Sequence, residues 1–208
     1  MAVELRDTLQ AAVHLVPSAC PVHRATPGAS AQERLAMLRL AVGNEPGLVV
    51  DDREIRRGGA SYMYDTLAEL RQEVGPQTPL VLVMGSDAFN GLASWYRWLE
   101  IPDLAHIMIL ERPGWVISEQ PELQELLTKR QVSTLSELHR LPSGLILPVA
   151  FSRLDISSSY IRSCIEQGRS PRFLLPDPVL DFIRTHQLYV RDAVQQGPSP
   201  IFPSSGGA

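Results

Sequence analysis

Short unbroken apolar runs alternate along this chain with stretches in which apolar residues recur every three or four positions. That alternation is the pattern of a parallel sheet covered by helices. Residues 2–12 carry the helical period and lead into "VHLVP" at 13–17, a short strand. "SAQERLAMLRLAVG" at 30–43 predicts a helix opened by Ser30 with Glu33 three residues on, the pairing of a capping box. "GLVVDD" at 47–52 predicts a strand, "YDTLAELRQEVG" at 64–75 a helix stopped by glycine, and "PLVLVMG" at 79–85 a strand apolar on both faces, suited to the middle of a sheet. "AHIMILERPG" at 105–114 repeats that last pattern, and after a less regular stretch "GLILPV" at 144–149 gives a further strand. A serine-led helix follows within "LDISSSYIRSCIEQG", residues 154–168, and a last helix within "PDPVLDFIRTHQL", where Asp177 before Pro178 is a good start. The class is α/β, and no internal repeat is visible.

Composition narrows the picture. A length of 208 residues with 44% hydrophobic content suffices for one well-buried core. We expect one domain over residues 1–191 and a disordered tail over 192–208, where "DAVQQGPSPIFPSSGGA" is rich in Pro, Gly and Ser. The net charge of −4 and a pI near 5.7, with no basic patch, argue against a nucleic-acid or anionic-membrane surface and leave anion binding to local sites. Eighteen arginines against the single Lys129 read as genome composition. Cys20 and Cys164 have no second pair to form a framework, so free thiols in a reducing cytoplasm are expected. No run approaches the ~18 apolar residues of a membrane span, and Glu4 and Asp7 stand where a signal peptide would be basic and then apolar. A cytoplasmic protein is expected.

Chemistry in such folds collects beyond the carboxyl ends of the strands. That rule singles out "SACPVHR" with His23 and Arg24, "GSDAFNGLASWYRW" with Asp87, Trp95 and Trp98, "ERPG" with Arg112, and "ISSSYIR". Each also has a plain reading: a solvated His-Arg pair, core tryptophans, a serine cap. Arg162 raises the sharper question, because a cation in the first turn of a helix faces about half a positive charge and unpaired N–H groups. An anion between them would resolve the conflict.

Together these stretches, with "SYMYDTL" at 61–67 and the closing "FLLPDPVLDFIRTHQLY" at 173–189, resemble bacterial nicotinate-nucleotide adenylyltransferases from Met1 to about Arg191. "ERPG" and "ISSSYIR" are shared with other nucleotidyltransferases; the block from Gly85 to Trp98 is more specific. The resemblance implies a Rossmann-like doubly wound parallel sheet of the nucleotidyltransferase type. It also implies transfer of the adenylyl group of ATP to nicotinic acid mononucleotide, giving deamido-NAD and pyrophosphate in NAD biosynthesis. By the family pattern Ser157, Ser158, Ser159 and Arg162 hold the ATP phosphates together with Arg112, and Arg162 is catalytic through the pyrophosphate leaving group. Trp95 stacks on the pyridine ring, backbone N–H groups around Met63 and Tyr96 receive the carboxylate, Asp87 accepts from a ribose, and His23 with Arg24 faces the mononucleotide phosphate. Mg²⁺ is expected with ATP, bound through phosphates and water and so leaving no ligand motif.

Three positions depart from the family pattern. Ser18 replaces a usual asparagine, Met63 a common threonine, and the opening strand with its glycine-rich turn and His-x-Gly-His motif is not found. The chain begins at Met1 inside what the resemblance makes the first helix, so a sheet without its first strand, poor stability and low activity are expected. Two alternatives stay open: a degenerate relative that binds nucleotides without catalysis, and an enzyme that adenylylates another acceptor such as the amide mononucleotide or a phosphopantetheine. The Trp95 block argues against the last.

Overall fold

A computed structural model describes residues 1–21, 28–111, 118–150 and 156–190. His23, Arg24, Arg112 and the 192–208 tail lie outside the described residues. By internal contacts the chain divides into two compact units, Met1–Asp155 and Ile156–Ala208.

The first unit runs α1 (Ala2–Leu9), β1 (Val13–Leu15), β2 (Cys20–Pro21), α2 (Ala31–Val42), β3 (Leu48–Val50), α3 (Arg53–Arg57), β4 (Ala60–Ser61) and α4 (Met63–Val74). It continues through β5 (Val81–Gly85), α5 (Ser86–Asn90), α6 (Ile101–Leu104), β6 (His106–Glu111), α7 (Pro121–Arg130), α8 (Leu135–Leu138) and β7 (Ile146–Ala150). Every strand pairing among the described residues is parallel, as the buried apolar runs predict: β5–β6–β7 form one sheet, while β1 pairs with β3 and β2 with β4. In the three-stranded sheet Val83 lies opposite Met108, and Ile109 opposite Pro148.

Because successive side chains of a strand point to opposite faces, the sheet sorts its residues into two cores. Leu82, Met84, Ile107, Ile109 and Ile146 join Leu67 of α4, Phe89 of α5 and Leu123 of α7. Met108, Leu110 and Leu147 join Leu5 and Leu9 of α1 and Leu138 of α8, with Val13, Val81 and Val83 packed against them. Both faces are therefore covered, and the predicted α/β doubly wound arrangement holds. β6 lies between two strands, and its residues from His106 to Leu110 are all buried. Each Leu, Ile, Met or Phe buried in this way contributes about 1.5–3 kcal/mol. β1 and β5 belong to separate sheets, although Val13, Val81 and Val83 share one apolar cluster.

Local signals read from the sequence reappear with small shifts. The α2 capping box forms as predicted, with the Ser30 N–H donating to Glu33 Oε2 at 2.6 Å and the Glu33 N–H to Ser30 Oγ at 3.2 Å. The strand expected over 13–17 is confined to Val13–Leu15, since Pro17 has no N–H to give a ladder. The less regular stretch before β7 contains α7, which has a proline in its first turn, and α8, which carries a second capping box between Thr134 and Glu137. Arg71 fixes α4 within the unit. Its half-buried guanidinium donates to the carbonyls of Leu104 (2.6 Å), Thr78 (2.6 Å), Pro142 (2.8 Å) and Gly75 (3.0 Å), and partial burial lowers its pKa.

The second unit contributes α9 (Ser158–Glu166) and α10 (Asp177–Thr185), with Cys164, Val179, Leu180, Ile183 and Leu188 buried. Both cysteines are free thiols, Cys20 exposed and Cys164 buried. Among the described residues no helix is long and apolar enough to cross a membrane.

Candidate active site

The sequence places chemistry after β5, and the backbone there turns directly into α5. Asp87 is exposed in the first turn of that short helix. Its carboxylate lies close over the strand end, where a Cβ on Gly85 would meet Asp87 Oδ1 at 2.8 Å. Ser86 beside it is fully buried, so only the aspartate of the pair faces outward.

Two short 3₁₀ turns, Leu92–Ser94 and Trp98–Glu100, follow α5 and present Trp95 and Tyr96 between them. The Trp95 N–H closes the first turn on the Leu92 carbonyl at 2.9 Å. Trp95 and Trp98 are half-buried, and both pack against the same apolar core as Met63. The core reading of these tryptophans and the stacking reading are thus compatible for Trp95, which keeps part of its surface open.

Met63 is the first residue of α4. Tyr62, its N-cap, makes no side-chain capping bond, so the first-turn N–H groups receive no cap from it. The helix end is held from behind: the hydroxyl of buried Thr66 donates to buried Glu54 Oε1 at 2.6 Å, and Arg57 donates to Thr66 Oγ1 at 3.2 Å and Glu69 Oε1 at 2.7 Å. The preceding α3 is itself pinned by Arg53. Its Nε donates to Asp51 Oδ2 at 2.8 Å, and its terminal nitrogens donate to both oxygens of Glu73 at 2.9 and 3.1 Å. Burial pushes the Asp51 carboxyl up, but hydrogen bonds from Arg53 and His14 outweigh burial and leave it below the usual carboxylate range.

The structure brings Tyr96 onto this helix end. The Tyr96 ring lies 4.8 Å from that of Tyr62 and 6.2 Å edge-on from that of Tyr64, centroid to centroid. Arg97 has the left-handed φ of 52°, stacks its guanidinium 3.8 Å from the centre of the Tyr64 ring, and pairs with both oxygens of Glu100. That pairing holds the Glu100 carboxyl below its ordinary range. Met63, Trp95 and Tyr96, named separately from the sequence, therefore meet at one place.

In the second unit Ser157 is the N-cap of α9, its Oγ accepting from the Tyr160 N–H at 3.1 Å, and Arg162 donates to Ser159 Oγ at 3.2 Å. The plain cap reading is realised for Ser157. Ser158, Ser159 and Arg162 lie in or next to the exposed first turn, which contains no acidic residue.

Residues 1–164 match the family model described as Cytidylyltransferase-like. The chain is 48% identical over 190 residues to a protein of Marinobacter nauticus (strain ATCC 700491 / DSM 11845 / VT8) described as "Probable nicotinate-nucleotide adenylyltransferase", covering 91% of this chain and 88% of that one. It is 51% identical over 179 residues to a protein of the same description from Hahella chejuensis (strain KCTC 2396), covering 86% and 82%. The chain belongs to the nicotinate-nucleotide adenylyltransferase family. A solved structure titled Plasmodium falciparum nicotinic acid mononucleotide adenylyltransferase complexed with NaAD superposes with a TM-score of 0.62 over 90% of each chain. Its 16% identity makes that a likeness of fold.

Within the nicotinate-nucleotide adenylyltransferase family, the match covers the segments that carry Met63, Asp87, Trp95, Tyr96 and the first turn of α9. Sequence reasoning passed over Tyr62, Tyr64, Arg97 and Glu100. A signal was available in the Tyr-x-Tyr spacing at the start of α4 and in an arginine directly after Trp95–Tyr96, but their meeting depends on tertiary structure.

Proposed function

We infer that the chain transfers the adenylyl group of ATP to nicotinic acid mononucleotide, releasing pyrophosphate and forming deamido-NAD for NAD biosynthesis. The observation that carries this reading is the near-even identity, over almost the whole chain, to two bacterial proteins of that description. The geometry supports it. An uncapped helix end at Met63, with Tyr96 seated against it and Trp95 partly open beside it, offers backbone donors for a carboxylate next to a ring surface for a planar pyridine.

In the reaction a phosphate oxygen of the mononucleotide attacks the α-phosphorus of ATP. One phosphorus–oxygen bond forms, the bond from the α-phosphorus to the bridging oxygen breaks, and the electron pair leaves with pyrophosphate. Positioning and charge stabilisation supply most of the catalysis in phosphoryl and nucleotidyl transfer. In the proposed roles His23 and Arg24 face the mononucleotide phosphate, Asp87 accepts from a ribose hydroxyl, and Ser157, Ser158 and Ser159 offer first-turn donors to the ATP phosphates with Arg112 and Arg162. Arg162 acts on charge that grows toward the transition state, so its contribution falls on turnover. Mg²⁺ is proposed to enter with ATP. Among the described residues no three His, Cys, Asp or Glu side chains converge to hold a metal.

The test is incubation of the purified chain with ATP, Mg²⁺ and either the acid or the amide mononucleotide, following pyrophosphate and the dinucleotide product. Deamido-NAD is expected to form faster than NAD. The rate is expected to be low, as the missing His-x-Gly-His motif implies, so the assay is run with enzyme in excess; no product under those conditions, or preference for the amide, overturns the reading.

A further inference from the structure

The carboxylate-binding arrangement just described needs two backbone segments, far apart in sequence, to keep one spacing. The first turn of α4 is held by Glu54, Thr66 and Arg57. The Trp95–Tyr96 turn is a short irregular connection between 3₁₀ turns, where Tyr96 is about half exposed and Leu99 more exposed still. Trp95 and Trp98 pack against the apolar core beneath this turn.

Three further contacts tie this turn to the helix end, and all converge on residues flanking Met63. The Tyr96 ring lies 4.8 Å from that of Tyr62, tilted by 40°, and 6.2 Å from that of Tyr64 in a T-shaped arrangement, while the guanidinium carbon of the next residue, Arg97, lies over the Tyr64 ring 3.8 Å from its centre. Glu100 holds that guanidinium with both carboxylate oxygens, Arg97 Nε being 2.6 Å from Glu100 Oε1. An exposed ion pair three residues apart is ordinarily of little consequence. Here it holds a guanidinium whose carbon lies over a ring on a different element, a cation–π contact added to a two-point carboxylate pairing that lysine's point charge does not reproduce. The backbone at Arg97 takes the left-handed conformation that non-glycine residues adopt only when their surroundings demand it.

We propose that Arg97 is a positioning residue for the acceptor nucleotide: with Tyr64 and Glu100 it clasps the Trp95–Tyr96 turn to the first turn of α4 and so sets the spacing of the donors for the pyridine carboxylate. The proposal rests on the functional reading above. Arg97 contacts neither the ATP phosphates nor the reacting phosphorus in this scheme. Its loss therefore removes binding that is equal in ground and transition states, which raises KM for one substrate and spares kcat.

The experiment uses the full chain and steady-state kinetics with each substrate varied in turn, on wild type, Arg97→Asn, Tyr64→Leu and Tyr64→Phe. Asparagine tolerates the left-handed backbone while removing the guanidinium. Arg97→Asn is expected to raise KM for nicotinic acid mononucleotide by about two- to tenfold, the range that one stacked cation supplies. KM for ATP and kcat should stay within about twofold. Tyr64→Leu should reproduce that pattern, Tyr64→Phe should restore near wild-type KM because the ring face is kept, and the Arg97→Asn/Tyr64→Leu double variant should be no worse than the poorer single one. KM for ATP also serves as the measure of intact folding. An unchanged KM for the mononucleotide, an equal rise for ATP, or a Tyr64→Phe variant as impaired as Tyr64→Leu overturns the clasp while leaving the functional reading in place. A wild-type chain that forms no deamido-NAD overturns that reading and the role assigned to Arg97 with it.

Discussion

Acid should destabilise this protein from one interior position, His106, well before its carboxylates titrate. The imidazole is fully buried at the first residue of β6. The Leu145 N–H donates to its Nδ1 at 3.0 Å, which makes Nδ1 an acceptor and leaves Nε2 to donate to the Leu141 carbonyl at 2.9 Å. Both nitrogens are thus satisfied in the neutral ring alone; a proton on Nδ1 would point at the Leu145 N–H and leave that donor without its acceptor. Burial lowers the imidazole pKa; the carbonyls of Leu141 and Leu138 oppose the shift, and the charges of Arg71 and His139 add to it. With the folded pKa below the unfolded value of about 6.5, the unfolded chain binds more protons between the two, so stability is complete above pH 6.5 and falls as pH drops. The slope approaches about 1.4 kcal/mol per pH unit for one proton. The total is set by one lost hydrogen bond and a buried charge, about 1–3 kcal/mol. Urea unfolding at pH 8, 7, 6 and 5 should show that loss in the wild type. His106→Gln, uncharged throughout, should start lower at pH 8 and lose about 1–3 kcal/mol less over the same interval. Asp51, whose depressed pKa matters only below about pH 4, is common to both proteins and outside the range. Parallel profiles for the two proteins would refute the reasoning, because the remaining histidines are shared.

The remaining predictions are more local. Trp95→Ala should weaken mononucleotide binding about three- to tenfold, from a stacking energy of about 0.5–1.5 kcal/mol, and leave ATP binding unchanged in separate calorimetric titrations; equal losses for both ligands would make Trp95 purely structural. Arg162→Ala should lower kcat by about 10²–10³ while shifting the unfolding free energy by less than about 0.5 kcal/mol, since its contact with Ser159 is at the surface. An unchanged turnover number would return the first turn of α9 to the role of a plain cap. Phe173→Asn should raise Tm by about 1–4 °C, because an 87% exposed phenylalanine is held at a φ of 67° that asparagine tolerates better; a lower Tm would show that the ring is needed where it stands.

What the sequence shows of this fold follows from how local each signal is. The strands β5 and β6 read directly because a strand buried on both faces must be apolar without interruption, and the Ser30–Glu33 box reads because both of its hydrogen bonds span three residues. α7 was legible in principle, with Pro121 in its first turn and Leu123, Leu126 and Leu127 on one face, but its exposed polar majority hides the period. β2 and β4, two residues each, carry no periodicity at all; their pairing of Cys20 with Ala60 is a tertiary event. The buried Asp51–Arg53 pair is likewise invisible in a linear reading, because charged residues buried against one another look the same in sequence as charged residues in water.

The candidate site shows the same division in a form that bears on function. In the proposed site Trp95 and Asp87 are named by residue type, since stacking and hydrogen bonding to a ribose are side-chain chemistry. The proposed carboxylate donors are not, for a backbone N–H has no letter of its own. Methionine can therefore stand at position 63 without loss of the donor, provided the helix still begins there and its end stays uncapped. What must be specified instead is the placement of that helix end, and the chain specifies it with side chains to which the proposed scheme gives no substrate contact: Thr66 on buried Glu54, Arg71 on four carbonyls, and Tyr62 and Tyr64 beside Tyr96 and Arg97. In a site whose donors are backbone, the informative substitutions are thus expected among residues that fix two segments relative to each other, and Arg97 is the exposed one among them.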